Sequence, residues 1–182
     1  MASFKSSLHT LLVLLAMSFS IHAHADSKAE IDRGARTTLQ QLLSSNADAK
    51  KLSEKAIAVL VFPTVTKAGL MVGGQYGEGV LLREGRPVAY YNTAGGSFGL
   101  QAGAQQFGYV LFFMKEAALK ALNSTEGFEV GVGPSVVVVD QGLAKSTTSI
   151  TAQDDIYAFI TGQKGLMAGI GIQGNKITKL NK

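Results

Sequence analysis

Gly95-Gly96-Ser97-Phe98-Gly99 has the G-x-S-x-G spacing of a nucleophile elbow, in which a sharp strand-to-helix turn exposes a serine for acyl transfer. A serine is a weak nucleophile until a neighbouring base takes its proton, and histidine is the usual base. All three histidines here (His9, His22 and His24) precede Ala25, and the chain has no cysteine. From Asp26 onward it therefore cannot build a Ser-His-Asp or Cys-His centre, nor an imidazole or thiolate zinc site. A Ser-Lys arrangement stays open for Ser97, but the flanking residues read as strand with no helix to follow.

The other chemistry-bearing patterns are weaker. Gly169-Ile170-Gly171-Ile172-Gln173-Gly174 fits G-x-G-x-x-G, yet no helical pattern and no acidic residue follow it before Lys182, so the match to a dinucleotide fingerprint is accidental. Asp154-Asp155 reads as a solvated turn. Glu78, Glu84, Glu116, Glu126 and Glu129 are scattered, and nothing in their spacing pairs two of them as acid and base. The expectation is a binder and not an enzyme, with no cofactor and no metal.

Residues 1–25 carry the three parts of a secretory signal: Lys5, the apolar run Leu11 to Met17, and small residues at Ala23-His24-Ala25. The apolar run is shorter than the ~20 residues that span a bilayer. The expectation is export to the periplasm or the outer-membrane periphery, with 26–182 as a single domain. It is not a lipoprotein, since no cysteine follows the apolar run, and no later segment is apolar enough to cross a membrane. The charge of +4, from 17 basic and 13 acidic side chains, favours anionic surfaces. It is too small and too scattered for nucleic acid.

These residues must be positioned by a β-rich domain. Ser27 and Glu30 have capping-box spacing, and Ile31, Ala35, Leu39 and Leu42 then recur on one helical face. Ser44-Ser45-Asn46 ends that helix and caps a shorter one, Ala47 to Lys55. Ile57 to Phe62 is an unbroken apolar run, a strand covered on both sides that stops at Pro63. Gly69 to Leu82 reads as a hairpin turning near Tyr76-Gly77, and Glu84-Gly85-Arg86-Pro87 as a second turn into Val88 to Thr93. Strands are expected over Ser97 to Gln105, Gly108 to Met114, Ser135 to Asp140, Leu143 to Ile150, Ile156 to Thr161, Leu166 to Ile172 and Lys176 to Leu180. Gly162-Gln163-Lys164-Gly165 reads as a turn, and Lys115 to Leu122 as the one later helix. The fold class is α+β: a strongly curved antiparallel β-sheet or barrel-like sandwich, with N-terminal helices and one later helix.

Several strands place glycine and glutamine on one face, as in Gly73, Gln75 and Gly77, or Gly99, Gln101, Gly103 and Gln105. Glycine within a strand costs stability and packs nothing. Its repetition fits tight curvature, or another backbone lying against the sheet. A groove where a ligand touches backbone is the alternative.

Three ordered blocks resemble the SYLF (Ysc84-type) family. They are Lys55 to Pro63 with Lys67-Ala68-Gly69-Leu70 through Gly77-Glu78-Gly79-Val80; Gly95 to Gly103; and Tyr157-Ala158-Phe159 to Gly169 with Gly174-Asn175-Lys176-Ile177. The resemblance implies lipid binding, notably of phosphoinositides in eukaryotic members, and actin binding in some fungal and animal members. Bacterial members are mostly exported envelope proteins, often with the lipobox cysteine that is absent here. No dense basic motif lies near the N-terminus beyond Lys50-Lys51 and Lys55, so actin binding is not carried over. The expected function is non-enzymatic binding of anionic phospholipid or membrane surface in the bacterial envelope. Candidate lipid-binding residues are Arg33, Arg36, Lys50, Lys51, Lys55, Lys67, Arg83, Arg86 and Lys164. Alternatives are an envelope protein-protein interaction module and a carrier of a small apolar ligand.

Overall fold

A computed structural model describes residues 26–124, 127–139, 153–165 and 174–182, with the backbone alone at 70–72, 97–102 and 163–165. Residues 1–25, expected to be a secretory signal, and the strands expected over Leu143 to Ile150 and Leu166 to Ile172 lie outside the described residues.

Helix α1 (Lys28–Ser45) begins with the expected reciprocal cap between Ser27 and Glu30, and buries Ile31, Ala35 and Leu42. Asn46 closes α1 and opens α2 (Ala47–Ser53) by accepting the Ala49 amide at 2.8 Å. Both helices cover a sheet built on one long hairpin, β1 (Ala58–Arg83) and β2 (Arg86–Phe113). The turn is Glu84-Gly85, with φ of 51° and 74°, the two positive values that a tight two-residue hairpin needs. α3 (Glu116–Leu122), β3 (Phe128–Glu129), β4 (Val136–Val139), β5 (Ile156–Gly165) and β6 (Lys176–Leu180) complete the described elements.

Four sequence expectations are corrected. Pro63 does not end a strand: β1 runs through it at a register shift between Phe62 and Val65, a bulge where proline's missing N–H disrupts no ladder. Tyr76-Gly77 is no turn but the middle of β1, pairing with Ala94 and Thr93. Residues 162–165 belong to β5, and Gly162 (φ 60°) sits where the β2–β5 register shifts. The sheet is also not wholly antiparallel, because β4 pairs with β5 in parallel.

The other edge of β2 is shared. Its second half pairs with β5 and its first half with β6, both antiparallel. The two pairings are in register with each other, since Ala94 to Gln105 and Gly165 to Lys176 are equal steps in sequence.

The hairpin is bent back on itself, and the sheet curls into a half-barrel. Straight, β1 would hold Thr64 and Gly77 about 43 Å apart. Instead, a Cβ added at Gly77 would lie 2.5 Å from the Thr64 carbonyl oxygen, and one at Gly79 would strike the Val61 carbonyl and the Phe62 ring. Backbone therefore crosses backbone, which is the close approach that only glycine permits. Strand alternation then makes two cores. The concave side gathers Leu60, Phe62, Tyr109, Leu111 and Phe113 from the near half of the hairpin with Leu81 and Tyr91 from the far half, and α3 closes it with Ala118, Leu119 and Leu122. The convex side packs Val61, Val80, Val110, Phe112, Tyr157 and Phe159 under α1 and α2. Burial on both faces is why the apolar runs are continuous.

Candidate functional site: a cationic helical layer

The layer formed by α1 and α2 is held at three places. Gly34 lets α1 meet Pro63, where an added Cβ would lie 2.9 Å from the proline Cβ. The Tyr90 hydroxyl donates to Asp32 at 3.1 Å, and the Lys28 ammonium sits 5.6 Å from the Tyr90 ring centre. Burial raises the Tyr90 pKa, and the bonded, negatively charged Asp32 adds to the rise. Finally, the Lys182 ammonium bridges the nearly buried Glu78 carboxylate and the Asp26 carbonyl at the start of the layer. Tyr76 donates to the other Glu78 oxygen at 3.0 Å. Burial raises the Tyr76 pKa, with the Glu78 hydrogen bond and charge acting in the same direction.

With its apolar stripe turned to the sheet, the layer displays its cations outward. Arg33 and Arg36 are exposed on α1, Lys50 and Lys51 on α2, and Lys55 just beyond it. Lys51 approaches Asp48 at 3.7 Å, whereas Arg33, Arg36, Lys50 and Lys55 form no ion pair among the described residues. These five residues share one layer because α1 and α2 pack against each other.

The remaining candidates lie elsewhere. Arg83 and Arg86 face each other across the hairpin tip, where Arg83 is 3.0 Å from Glu116 and both are exposed. Lys67 is half-buried on β1, opposite Gln105 in register. The backbone of Lys164 pairs with Gln106, and its side chain lies outside the described residues. Lys28 and Lys182, absent from the sequence-based set, are the cations that fasten the layer. Their roles depend on Tyr90 and Glu78, which are remote in sequence.

The glycine face is partly explained by the protein's own side chains. Gly95 lies between Gln75 and Asn175, and a Cβ there would collide with the Asn175 oxygen. The Gln75 amide donates to that oxygen across the glycine, a buried bond joining residues 100 positions apart. The first glycine of G-x-S-x-G is thus a spacer for an amide bridge, and the motif's backbone is β2 strand throughout. Beside the bridge, the fully buried Tyr109 hydroxyl lies near Thr93 and Asn175. Burial drives its pKa far above the ordinary tyrosine value, and the two neighbours offset this only in part.

The paired aspartates have structural partners. Asp155 accepts the Ser135 amide at 2.9 Å and lies 2.8 Å from the Lys115 ammonium, joining the starts of α3, β4 and β5. Asp154 accepts the Tyr157 hydroxyl at 3.1 Å. Asp155 is therefore a junction where a solvated turn was expected. Among the described residues no group of three or more His, Asp or Glu side chains could hold a metal ion, and no helix is long and apolar enough to cross a membrane.

A curled sheet covered by N-terminal helices, with one later helix, is the α+β class that the pattern of strands and helices implied. Residues 94–182 match the family model described as Ysc84: Las17-binding protein actin regulator. The chain belongs to the Ysc84 (SYLF) family. The matched segment holds most of β2, α3 and β3 to β6, while the cationic helices and β1 precede it. No curated protein matches the chain.

Proposed function

We propose that the protein is a non-catalytic binder of anionic phospholipid surfaces in the bacterial envelope, with the α1–α2 layer as its contact. The observation that carries this reading is the set of exposed Arg33, Arg36, Lys50 and Lys55, none paired with an acid among the described residues. A surface of anionic headgroups supplies the missing counter-charges, at about 1 kcal/mol for each Lys or Arg close to it. Lys51, Arg83, Arg86, Lys67 and Lys164 are secondary contributors, and the two arginines at the hairpin tip form a separate patch.

Co-sedimentation with vesicles tests it. The protein binds vesicles rich in acidic phospholipid, does not bind neutral ones, and is released by salt. Replacing Arg33, Arg36, Lys50 and Lys55 together with glutamine weakens binding by up to about a thousandfold at low salt. Equal binding to neutral and acidic vesicles, or a variant that binds like the parent, refutes the reading.

Binding of an envelope protein is the second reading, favoured by the family's description as a Las17-binding protein. A partner retained from envelope extract after detergent has dissolved the lipid supports it. Carriage of an apolar ligand is less well supported, because the concave side is filled by fully buried Phe62, Phe107, Tyr109 and Leu111.

A further inference from the structure

The concave side is not uniformly apolar. Where the two halves of the bent hairpin meet it carries Thr93 from the first half of β2, Tyr109 from the second half, and Asn175 from the residues leading into β6. Thr93 and Tyr109 are fully buried and Asn175 is 1% exposed. The register explains two of the three. Thr93 lies opposite Ile177 and Ala94 opposite Lys176, so Asn175 falls beside Gly95, on the same face as Thr93. The bend supplies the third: the Tyr109 ring packs on Phe62 at 4.7 Å between centroids. Its hydroxyl is close enough to Thr93 and Asn175 for both to pull its pKa down against the rise from burial.

Hydrogen-bond accounting singles this place out. Asn175 uses its Oδ1 to accept from Gln75. Its Nδ2, the Thr93 Oγ1 and the Tyr109 hydroxyl are neighbours, yet none of the three atoms has a hydrogen-bond partner among the described residues. A buried amide or hydroxyl without a partner is costly, and native interiors leave few of them. Polar neighbours that do not bond to each other directly are the arrangement in which a water stands between them. The chemistry of the three atoms matches. Asn175 Nδ2 only donates, whereas each hydroxyl both donates and accepts. A water that accepts from Asn175 and from one hydroxyl, and donates to the other, makes about three bonds, the usual number for a buried water. Being neutral, it brings no charge into a core walled by Phe62 and Phe107.

We infer that Thr93, Tyr109 and Asn175 form a buried water-binding site, in which an ordered water joins the two halves of the hairpin. The Gln75–Asn175 bridge fixes the Asn175 amide, and the water carries that link on to Tyr109 across the bend. Behind side chains so fully buried, the water exchanges with solvent only when the fold opens, so it is long-lived. The site lies on the concave side of the sheet and the α1–α2 layer on the convex side, so it stands apart from phospholipid binding.

Oxygen-17 relaxation dispersion of the solvent tests the site, because it counts waters held for longer than the protein takes to tumble. Thr93→Val combined with Tyr109→Phe, both close in shape to the parent side chains, leaves Asn175 Nδ2 as the remaining partner. That is too few to hold a water, and the dispersion amplitude falls by the equivalent of about one water. Tyr91→Phe is the comparison: it removes a hydroxyl that already donates to Asn123 at 2.8 Å, and it does not lower the amplitude. In the parent protein a nuclear Overhauser cross-peak links water to the Asn175 side-chain amide, a readout that needs no substitution. An amplitude as large in the double variant as in the parent, no cross-peak at that amide, or a high-resolution crystal structure in which protein groups alone bond to the three atoms would each overturn the inference.

Discussion

Gly77→Ala probes the crossing of β1 over itself. The added methyl would lie 2.5 Å from the Thr64 carbonyl oxygen, 2.8 Å from Val65 Cγ2 and 3.0 Å from Val65 Cα, where ordinary contact begins at 3.4 Å. Backbone must therefore move by roughly 0.9 Å at a place buried on both sides. Overpacking in a tight core costs about 1–3 kcal/mol, and two of the three contacts are to main chain, which puts Gly77→Ala near the upper end at about 3 kcal/mol. That is a large share of the ~5–15 kcal/mol by which a domain is stable. Gly96→Ala is the matched control, because it lies in the same hairpin with nothing within 4 Å of its added Cβ. Relief of the glycine entropy penalty makes it neutral or stabilising by up to about 1 kcal/mol. Urea unfolding followed by circular dichroism reads both, as opposite displacements of the midpoint at constant slope. If the two alanines move the midpoint equally, glycine at Gly77 serves no close approach, and the bent-hairpin argument fails.

Other expectations concern the fastenings. Lys182→Met leaves the nearly buried Glu78 carboxylate with Tyr76 as its remaining described partner and costs about 2 kcal/mol, below the 3–5 of a fully buried pair because the lysine is partly exposed. Adding Glu78→Gln to that variant recovers most of the loss, and a double-mutant cycle showing no coupling would remove the clasp from the account. Asp155 has its pKa held below the usual 3.8, chiefly by the Lys115 hydrogen bond. A depressed folded pKa gives stabilisation that is present above pH 3.8 and is lost as pH falls through the lower folded value. Asp155→Asn therefore flattens the decline of thermal midpoint in acid; an unchanged acid limb would show that the junction carries no linkage. For Lys115 the sign reverses: its raised pKa keeps the pair intact up to and beyond pH 10.5, and the contribution fades only above that. Lys115→Met removes the alkaline loss and leaves a shallower acid limb.

Much of the architecture was legible locally. Ser27 with Glu30 marked the start of α1, Asn46 the junction with α2, and Glu84-Gly85 the hairpin turn, because capping and tight-turn chemistry act over three or four residues. The continuous apolar run Ile57 to Phe62 announced burial on two faces. The cations of α1 and α2 were also visible as the polar side of an amphipathic pattern. Tyr76-Gly77 was misread as a turn, since glycine inside a strand and glycine in a turn look alike until the atom that forbids a Cβ is known. For Gly77 that atom is the Thr64 carbonyl oxygen, thirteen residues away along the chain.

By itself, then, the sequence determined the helices, much of the strand content, which faces are apolar, and that histidine and cysteine are absent after Ala25. Tertiary structure alone decided that Gln75 meets Asn175 across Gly95, that Lys182 reaches Glu78, that β4 joins β5 in parallel, and that β1 and β5 both bulge beside the same stretch of β2. The physical reason is range. Backbone propensity and periodicity are summed over neighbours, whereas each of these contacts depends on where a bent sheet carries residues that lie tens of positions apart.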